Sequence, residues 1–345
     1  MPLKVDKVIE KDFPISADGS VNIENKYGSV VVTESKSNQV SLKITIEVNS
    51  NSDEKAQEVF DRISINFSNS SDFVSAITEI EEKKSGWTSW FSWGSTINFK
   101  INYDVKMPIS AHLKLKNKYG DVNLTDLNNG LDLVLKYGNI SMRSVEAKTS
   151  LDLGYGNMDF GDLGDLNDNV KYSKIQGSSA QEVSISSKYS TFNVGDIASL
   201  KSDTKYDTYV IDKVGDIRNS GKYDKWEVKE VENVKISSKY SPIWIDKLIG
   251  DLLVDQKYGN IEVEEVVCNS ARIEIDAEYT DVDLGIRDCG LDMDFEGEYV
   301  SVRLPRDIEG SVEQDDEDVW LKNTFGNGDR RVRLRMRHAS LKIWD

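Results

Sequence analysis

Two histidines, His112 and His338, and two cysteines, Cys268 and Cys289, are all that 345 residues offer of the side chains that most often bind metals or carry catalytic protons. Histidine-cluster chemistry therefore has no material to work with. Two cysteines are too few for a disulfide scaffold. No P-loop, G-x-S-x-G elbow or H-E-x-x-H stretch occurs. Acidic residues are so plentiful, 60 against 43 Lys and Arg, that close carboxylate pairs carry no signal. Gly161-Asp162-Leu163-Gly164-Asp165-Leu166-Asn167-Asp168-Asn169 suggests calcium. A calcium-binding β-roll, however, needs a nine-residue period that is absent here. Asp and Asn at bends serve turn geometry instead. The expectation is no catalytic residue, no metal and no cofactor.

Three other sets of residues have binding chemistry. Trp87, Trp90, Phe91 and Trp93 crowd a short segment between Gly86 and Gly94. They read as a loop folded over a core edge, or as an exposed aromatic patch for a glycan, a membrane interface or a partner chain. Lysines precede a recurring tyrosine at 118, 136, 171, 188, 205, 222, 239 and 257. They read as a solvated ladder whose aliphatic stems cover a sheet, with a cationic stripe for an anionic polymer as the alternative. Arg331, Arg333, Arg335 and Arg337 alternate with Val332, Leu334 and Met336, the pattern of a terminal strand with one solvated face. The acidic run Glu313–Asp318 is a candidate partner for these arginines across coils.

The elements that position these groups come from a repeat. Tyr119, Tyr137, Tyr155, Tyr172, Tyr189, Tyr206, Tyr223, Tyr240, Tyr258, Tyr279 and Tyr299 are spaced by 18, 18, 17, 17, 17, 17, 17, 18, 21 and 20 residues. Tyr27 carries the same local pattern, an early coil split from the array by an insertion. Counting from the tyrosine, apolar residues recur at +3 and +5 (Val122 and Leu124; Ile261 and Val263) and at −6 and −4 (Leu113 and Leu115; Leu252 and Val254). Period two with β-branched residues means strands, not helices. Each unit is thus two short strands and two bends.

Such a unit buries its apolar side only by stacking on its neighbours, with strands about 4.8 Å apart. The sequence therefore predicts a mainly β fold: a single-stranded, right-handed parallel β-helix or solenoid of 17–18-residue coils, about 48 Å long over ten spacings. The tyrosine ring belongs inward or at a corner, where rings can form a structural ladder. Cys268 and Cys289 each lie ten residues after a repeat tyrosine, on adjacent coils. A disulfide and two buried thiols both fit that spacing.

Residues 36–110 read as a small α+β insertion, with a helix opening at Asp53 as N-cap and an apolar face of Ala56, Val59, Phe60 and Ile63. Strands are expected near 63–67, 73–80 and 97–107. The domain reading is 1–110, first coil plus capping insertion; 111–304, solenoid repeats; and 305–345, C-terminal capping strands. A net charge of −17 argues against nucleic acid as partner. No run of 18 apolar residues suggests a transmembrane segment. Met1-Pro2-Leu3-Lys4 lacks the apolar core of a secretory signal, so either the protein stays inside the cell or a signal has been removed.

The K-Y-G-[DN]-[VI]-x-[VL] units, the opening Phe13-Pro14-Ile15-Ser16-Ala17-Asp18-Gly19-Ser20 and the helix-bearing insertion resemble a bacterial family of β-solenoids, the putative adhesins. The resemblance covers nearly the whole chain. It implies the solenoid fold and a periplasmic, cell-surface or secreted setting, usually behind a signal peptide. It supplies no catalytic residue. The function expected is a non-enzymatic cell-envelope scaffold or adhesin presenting its rigid surface to a protein or glycan. The alternatives are a carbohydrate-active β-helix enzyme, a polysaccharide lyase or hydrolase, and an envelope-stress signalling module.

Overall fold

The computed structural model describes residues 3–81, 98–269, 271–286, 289–309 and 311–344. Trp87, Trp90, Phe91 and Trp93 lie outside the described residues. The protein is a mainly β solenoid whose coils pair in parallel, and its chain divides into two compact units, Met1–Asp165 and Leu166–Asp345.

Unit 1 contains β1 (Leu3–Pro14), β2 (Ser20–Lys26), β3 (Val30–Glu34), β4 (Gln39–Ser50), α1 (Asp53–Phe60), β5 (Ile63–Asn69), β6 (Phe73–Ile80) and β7 (Asn98–Met107). These are followed by β8 (His112–Lys118), β9 (Val122–Leu124), β10 (Leu131–Lys136), β11 (Ile140–Val145), β12 (Thr149–Gly154) and β13 (Asn157–Leu163). The coils here are two short strands each. The early coil β2–β3 stacks in parallel on β8 and β9, so Tyr27 belongs to the array. Apolar columns run straight through the register: Ile23, Leu115, Leu133 and Leu151 on one sheet, Val32, Leu124, Met142 and Phe160 on the other, all buried.

The insertion closes the open end of this stack. β6 and β7 add in parallel to the outer edges of β2 and β3. Antiparallel strands then cover them, β5 on β6, and β4 with β1 on β7. An exposed parallel edge would invite further pairing, and this ends it. The N-cap of α1 is Ser52, not Asp53: its hydroxyl accepts from the Lys55 amide at 3.4 Å. Ile63 belongs to β5 and not to the helix, whose buried face is Ala56, Val59 and Phe60.

Unit 2 contains β14 (Leu166–Lys171), β15 (Lys174–Lys188), β16 (Thr191–Lys205), β17 (Thr208–Lys222), β18 (Lys225–Lys239), β19 (Ile243–Leu248) and β20 (Leu252–Val266). Then come β21 (Arg272–Gly285), β22 (Leu291–Arg303), α2 (Arg306–Glu309), β23 (Glu313–Asp315), β24 (Asp318–Phe325) and β25 (Arg330–Trp344). Four consecutive strands, β15 to β18, run 15 residues each, so the second bend expected in every coil is here absorbed without a break.

The C-terminal strand is not terminal in space. β25 pairs in parallel with β21 on one side and β22 on the other. β22 is then covered by antiparallel β24, and β24 by β23. The coils of Tyr279 and Tyr299, adjacent in sequence, are thus separated by β25.

Candidate functional site

The repeat tyrosines sit at a corner and not in the core. Each is about half exposed, between 41% and 53% from Tyr119 to Tyr299. Each also has a positive φ, from 51° to 64° counting Tyr27. That left-handed conformation costs a non-glycine residue about 1–2 kcal/mol. The tyrosine itself, and not the Gly, Ser or Asp after it, takes the strained position. Asparagine or glycine would adopt the turn at less cost, so the ring is what the corner retains.

The rings stack. In unit 1, Tyr27, Tyr119, Tyr137 and Tyr155 follow each other at centroid distances of 5.2, 5.1 and 5.1 Å. In unit 2, Tyr172 through Tyr279 do so at 4.7–5.1 Å. His338 of β25 stands between Tyr279 and Tyr299, 4.8 Å from each and at φ 50°. Sequence spacing could not place that histidine, because its coil is out of sequence order. Each stacked pair contributes about 0.5–1.5 kcal/mol beyond burial.

Two backbone solutions hold this corner. In unit 1 the residue after the tyrosine is glycine because the coils touch there: a Cβ on Gly120 would lie 2.0 Å from the Gly28 carbonyl oxygen. Asn117 bridges this contact, its amide donating to the carbonyls of both Gly28 and Gly120 at 2.9 Å. In unit 2 the same position is mostly Ser or Asp, and each side chain accepts the amide of the preceding coil. Ser190 donates its amide to Asp207 Oδ1 at 2.8 Å, Asp207 to Asp224 Oδ1 at 3.0 Å and Asp224 to Ser241 Oγ at 3.1 Å. The Asp224 carboxylate turns inward over Gly221, where a Cβ would meet Oδ2 at 2.0 Å, and accepts from Thr204 at 2.9 Å. Burial pushes Asp207 up to about 7, against the Ser190 amide that favours its charged form. Burial likewise pushes Asp224 up to about 6, opposed by its hydrogen bonds to Asp207 and Thr204. A second ring column, buried and without a counterpart in the sequence reading, fills the +3 position: Phe192, Tyr209 and Trp226, 5.1 and 4.0 Å apart. Their common spacing of 17 residues was the available signal.

Outside, the charged columns of unit 2 are of two kinds. Lys171, Lys188, Lys205, Lys222, Lys239 and Lys257 lie directly beside one another in register. Four residues earlier in β16, β17 and β18, Lys201, Arg218 and Lys235 form a shorter second row, over the floor of a shallow open groove. The arginines of β25, by contrast, meet acids. Arg331, Arg333, Arg335 and Arg337 pair with Asp292, Asp294, Glu296 and Glu298 at 3.8, 4.0, 3.5 and 2.8 Å. These β22 carboxylates are their partners, whereas the acidic run Glu313–Asp318 supplies strands and turn of the β23–β24 hairpin.

Arg330, at the start of β25, is fully buried. It donates to the carbonyls of Gly250 at 3.1 Å and Ile249 at 3.4 Å, to that of Val267, and to Asn269 Oδ1 at 2.6 Å. Beside it Cys268 and Cys289 form a disulfide, with Cα atoms 5.4 Å apart. Among the described residues no group of three or more His, Cys, Asp or Glu could hold a metal ion, and no helix is long and apolar enough to cross a membrane.

No protein-family model matches the chain, and no curated protein matches it. Solved structures to which it is similar include a putative cell adhesion protein from Clostridium sporogenes (10% identity, 99% of each chain covered, TM-score 0.21). A putative adhesin from Parabacteroides merdae shares 10% identity over 80% of this chain and 95% of its own, with a TM-score of 0.30. A putative lipid binding protein from Parabacteroides distasonis shares 9% identity over 98% and 97%, with a TM-score of 0.27. Likeness this distant carries no argument about function, and the solenoid rests on the strand register itself.

Proposed function

We propose that the chain is a non-enzymatic, adhesin-like scaffold of the bacterial cell envelope, periplasmic or at the cell surface, that presents the side of its coils to a protein or glycan partner. The observation that carries this reading is the tyrosine column: half-exposed aromatic rings kept at strained corners on coil after coil, with hydroxyls and ring edges at one regular interval. A sheet face repeating every coil suits a ligand that also repeats. The second reading, a carbohydrate-active enzyme, draws on the groove of unit 2, which holds both acids and bases. At its β25 end, however, acids and arginines occupy each other as ion pairs.

The test is capture and turnover together. The immobilised chain is presented with neutral and acidic envelope polysaccharides and with solubilised envelope proteins. Saturable capture without new reducing ends or unsaturated sugar products is expected. Release of such products would replace the scaffold with the enzyme, and failure to capture any of them would remove the scaffold.

A further inference from the structure

The lysine rows of unit 2 are an electrostatic anomaly. The chain is acidic, yet five exposed lysines, Lys171, Lys188, Lys205, Lys222 and Lys239, stand side by side in register. Neighbours at the strand spacing of about 4.8 Å repel by about 1 kcal/mol in water. Like charges directly opposite in a sheet are destabilising. Only the last of the six, Lys257, is neutralised, by Glu278. Among the described residues none of the other five forms an ion pair, nor do Lys201, Arg218 and Lys235. Across these columns and the one between them, only Asp203 and Asp255 are acidic; both stand in the middle column, with Asn169, Ser186, Ser220 and Ser237.

We propose that this face of unit 2 docks a linear acidic glycan, whose carboxylate or sulfate groups lie along the two cationic rows. The proposal rests on the scaffold reading above and names its partner class. Six coils make the face about 24 Å long, and the four-residue offset between the rows makes it about 13 Å wide. A glycan charged at each sugar carries anions at an interval comparable to the coil spacing. The serines between the rows offer hydroxyls to sugar hydroxyls, and the tyrosine hydroxyls lie one residue beyond the inner lysines.

One feature favours a glycan over a single-stranded nucleic acid. Single strands bind by stacking bases on free aromatic faces, whereas here the ring faces cover one another at 4.7–5.1 Å.

The test measures binding of the full chain to polygalacturonate, heparin, neutral dextran and oligothymidylate. Variants are Lys188→Gln/Lys205→Gln/Lys222→Gln/Lys239→Gln and a control of equal charge, Lys7→Gln/Lys36→Gln/Lys43→Gln/Lys55→Gln. All of these lysines are exposed, and unchanged melting verifies the fold. Binding to both acidic glycans, weakened by salt and lowered about tenfold or more in the face variant but not in the control, is expected. Equal binding by the face variant, no acidic-glycan binding, or oligothymidylate bound as tightly as the glycans would overturn the proposal. Dextran or protein capture indifferent to the lysines would overturn it too, while leaving the scaffold in place.

Discussion

Along one face of unit 2, Arg333, Arg335 and Arg337 of β25 each stand between an acid of β21 and an acid of β22, whereas in β14 to β18 the column from Lys171 to Lys239 sets lysine beside lysine. The difference follows from connectivity. β14 to β18 succeed one another in the chain, so each coil has its predecessor as neighbour and needs no charge to choose it. β25 returns across α2, β23 and β24 to enter between two strands already made. A parallel strand slipped by one residue turns its whole apolar set outward, and the alternation of Arg331 to Arg337 with Val332, Leu334 and Met336 against acidic neighbours penalises such a slip. Charge specifies register around β25. Elsewhere in β16 to β18 acids and bases also alternate, as Asp196, Lys213 and Glu230 do, but the lysine column has no such partners, which leaves it available to a ligand.

The largest effect should come from Arg330, which anchors the incoming strand. Arg330→Met leaves the carbonyls it satisfies buried and unpaired, and should cost about 3–5 kcal/mol in denaturant unfolding of unit 2. Next comes charge reversal. Arg333→Glu/Arg335→Glu sets like charges against Glu274, Asp276, Asp294 and Glu296 and should lower the melting temperature strongly. Lys205→Glu/Lys222→Glu relieves repulsion along its row and should leave the temperature unchanged or raise it. Equal losses from both pairs would erase the distinction between the two regions.

How much of this was legible in the sequence depends on whether a residue's neighbour lies one coil away. The spacing of tyrosines and the apolar positions at −6, −4, +3 and +5 identify the coils because those columns follow sequence order. The arginine run reads correctly as a strand, but its neighbours do not, since nothing local states that β25 enters between β21 and β22. His338 in the ring column is hidden for the same reason. The strained corner is hidden differently: propensity assigns positive φ to glycine, and only stacking along the coils makes tyrosine preferable there.

Smaller effects refine the contrast. The two carboxylates beneath the lysine region, Asp207 and Asp224, have folded values of about 7 and 6, above the usual 3.8. A raised folded value favours the protonated folded state, so their contribution is fullest below 3.8 and is lost as pH rises through 6 and 7. Asp207→Asn/Asp224→Asn keeps the Oδ1 acceptors and should remove that dependence. The variant should gain about 1 kcal/mol or more on the wild type above pH 7, and the gap should close on acidification. The smallest effect belongs to the ring column, common to both regions. Alanine at Tyr206 or at His338 should be about 1 kcal/mol less stable than glycine at the same position, because only glycine adopts the positive φ freely.

The register of β25 carries the contrast between the two regions, and cross-linking reads it directly. Cysteines introduced as Glu296→Cys with Arg335→Cys face each other across β22 and β25, and those introduced as Asp276→Cys with Glu296→Cys face each other only if β22 stacks directly on β21. With bonds mapped by mass spectrometry, rapid cross-linking of the first pair and none of the second is predicted. Cross-linking of the second pair in place of the first would contradict the intercalated strand and the division of charge that follows from it.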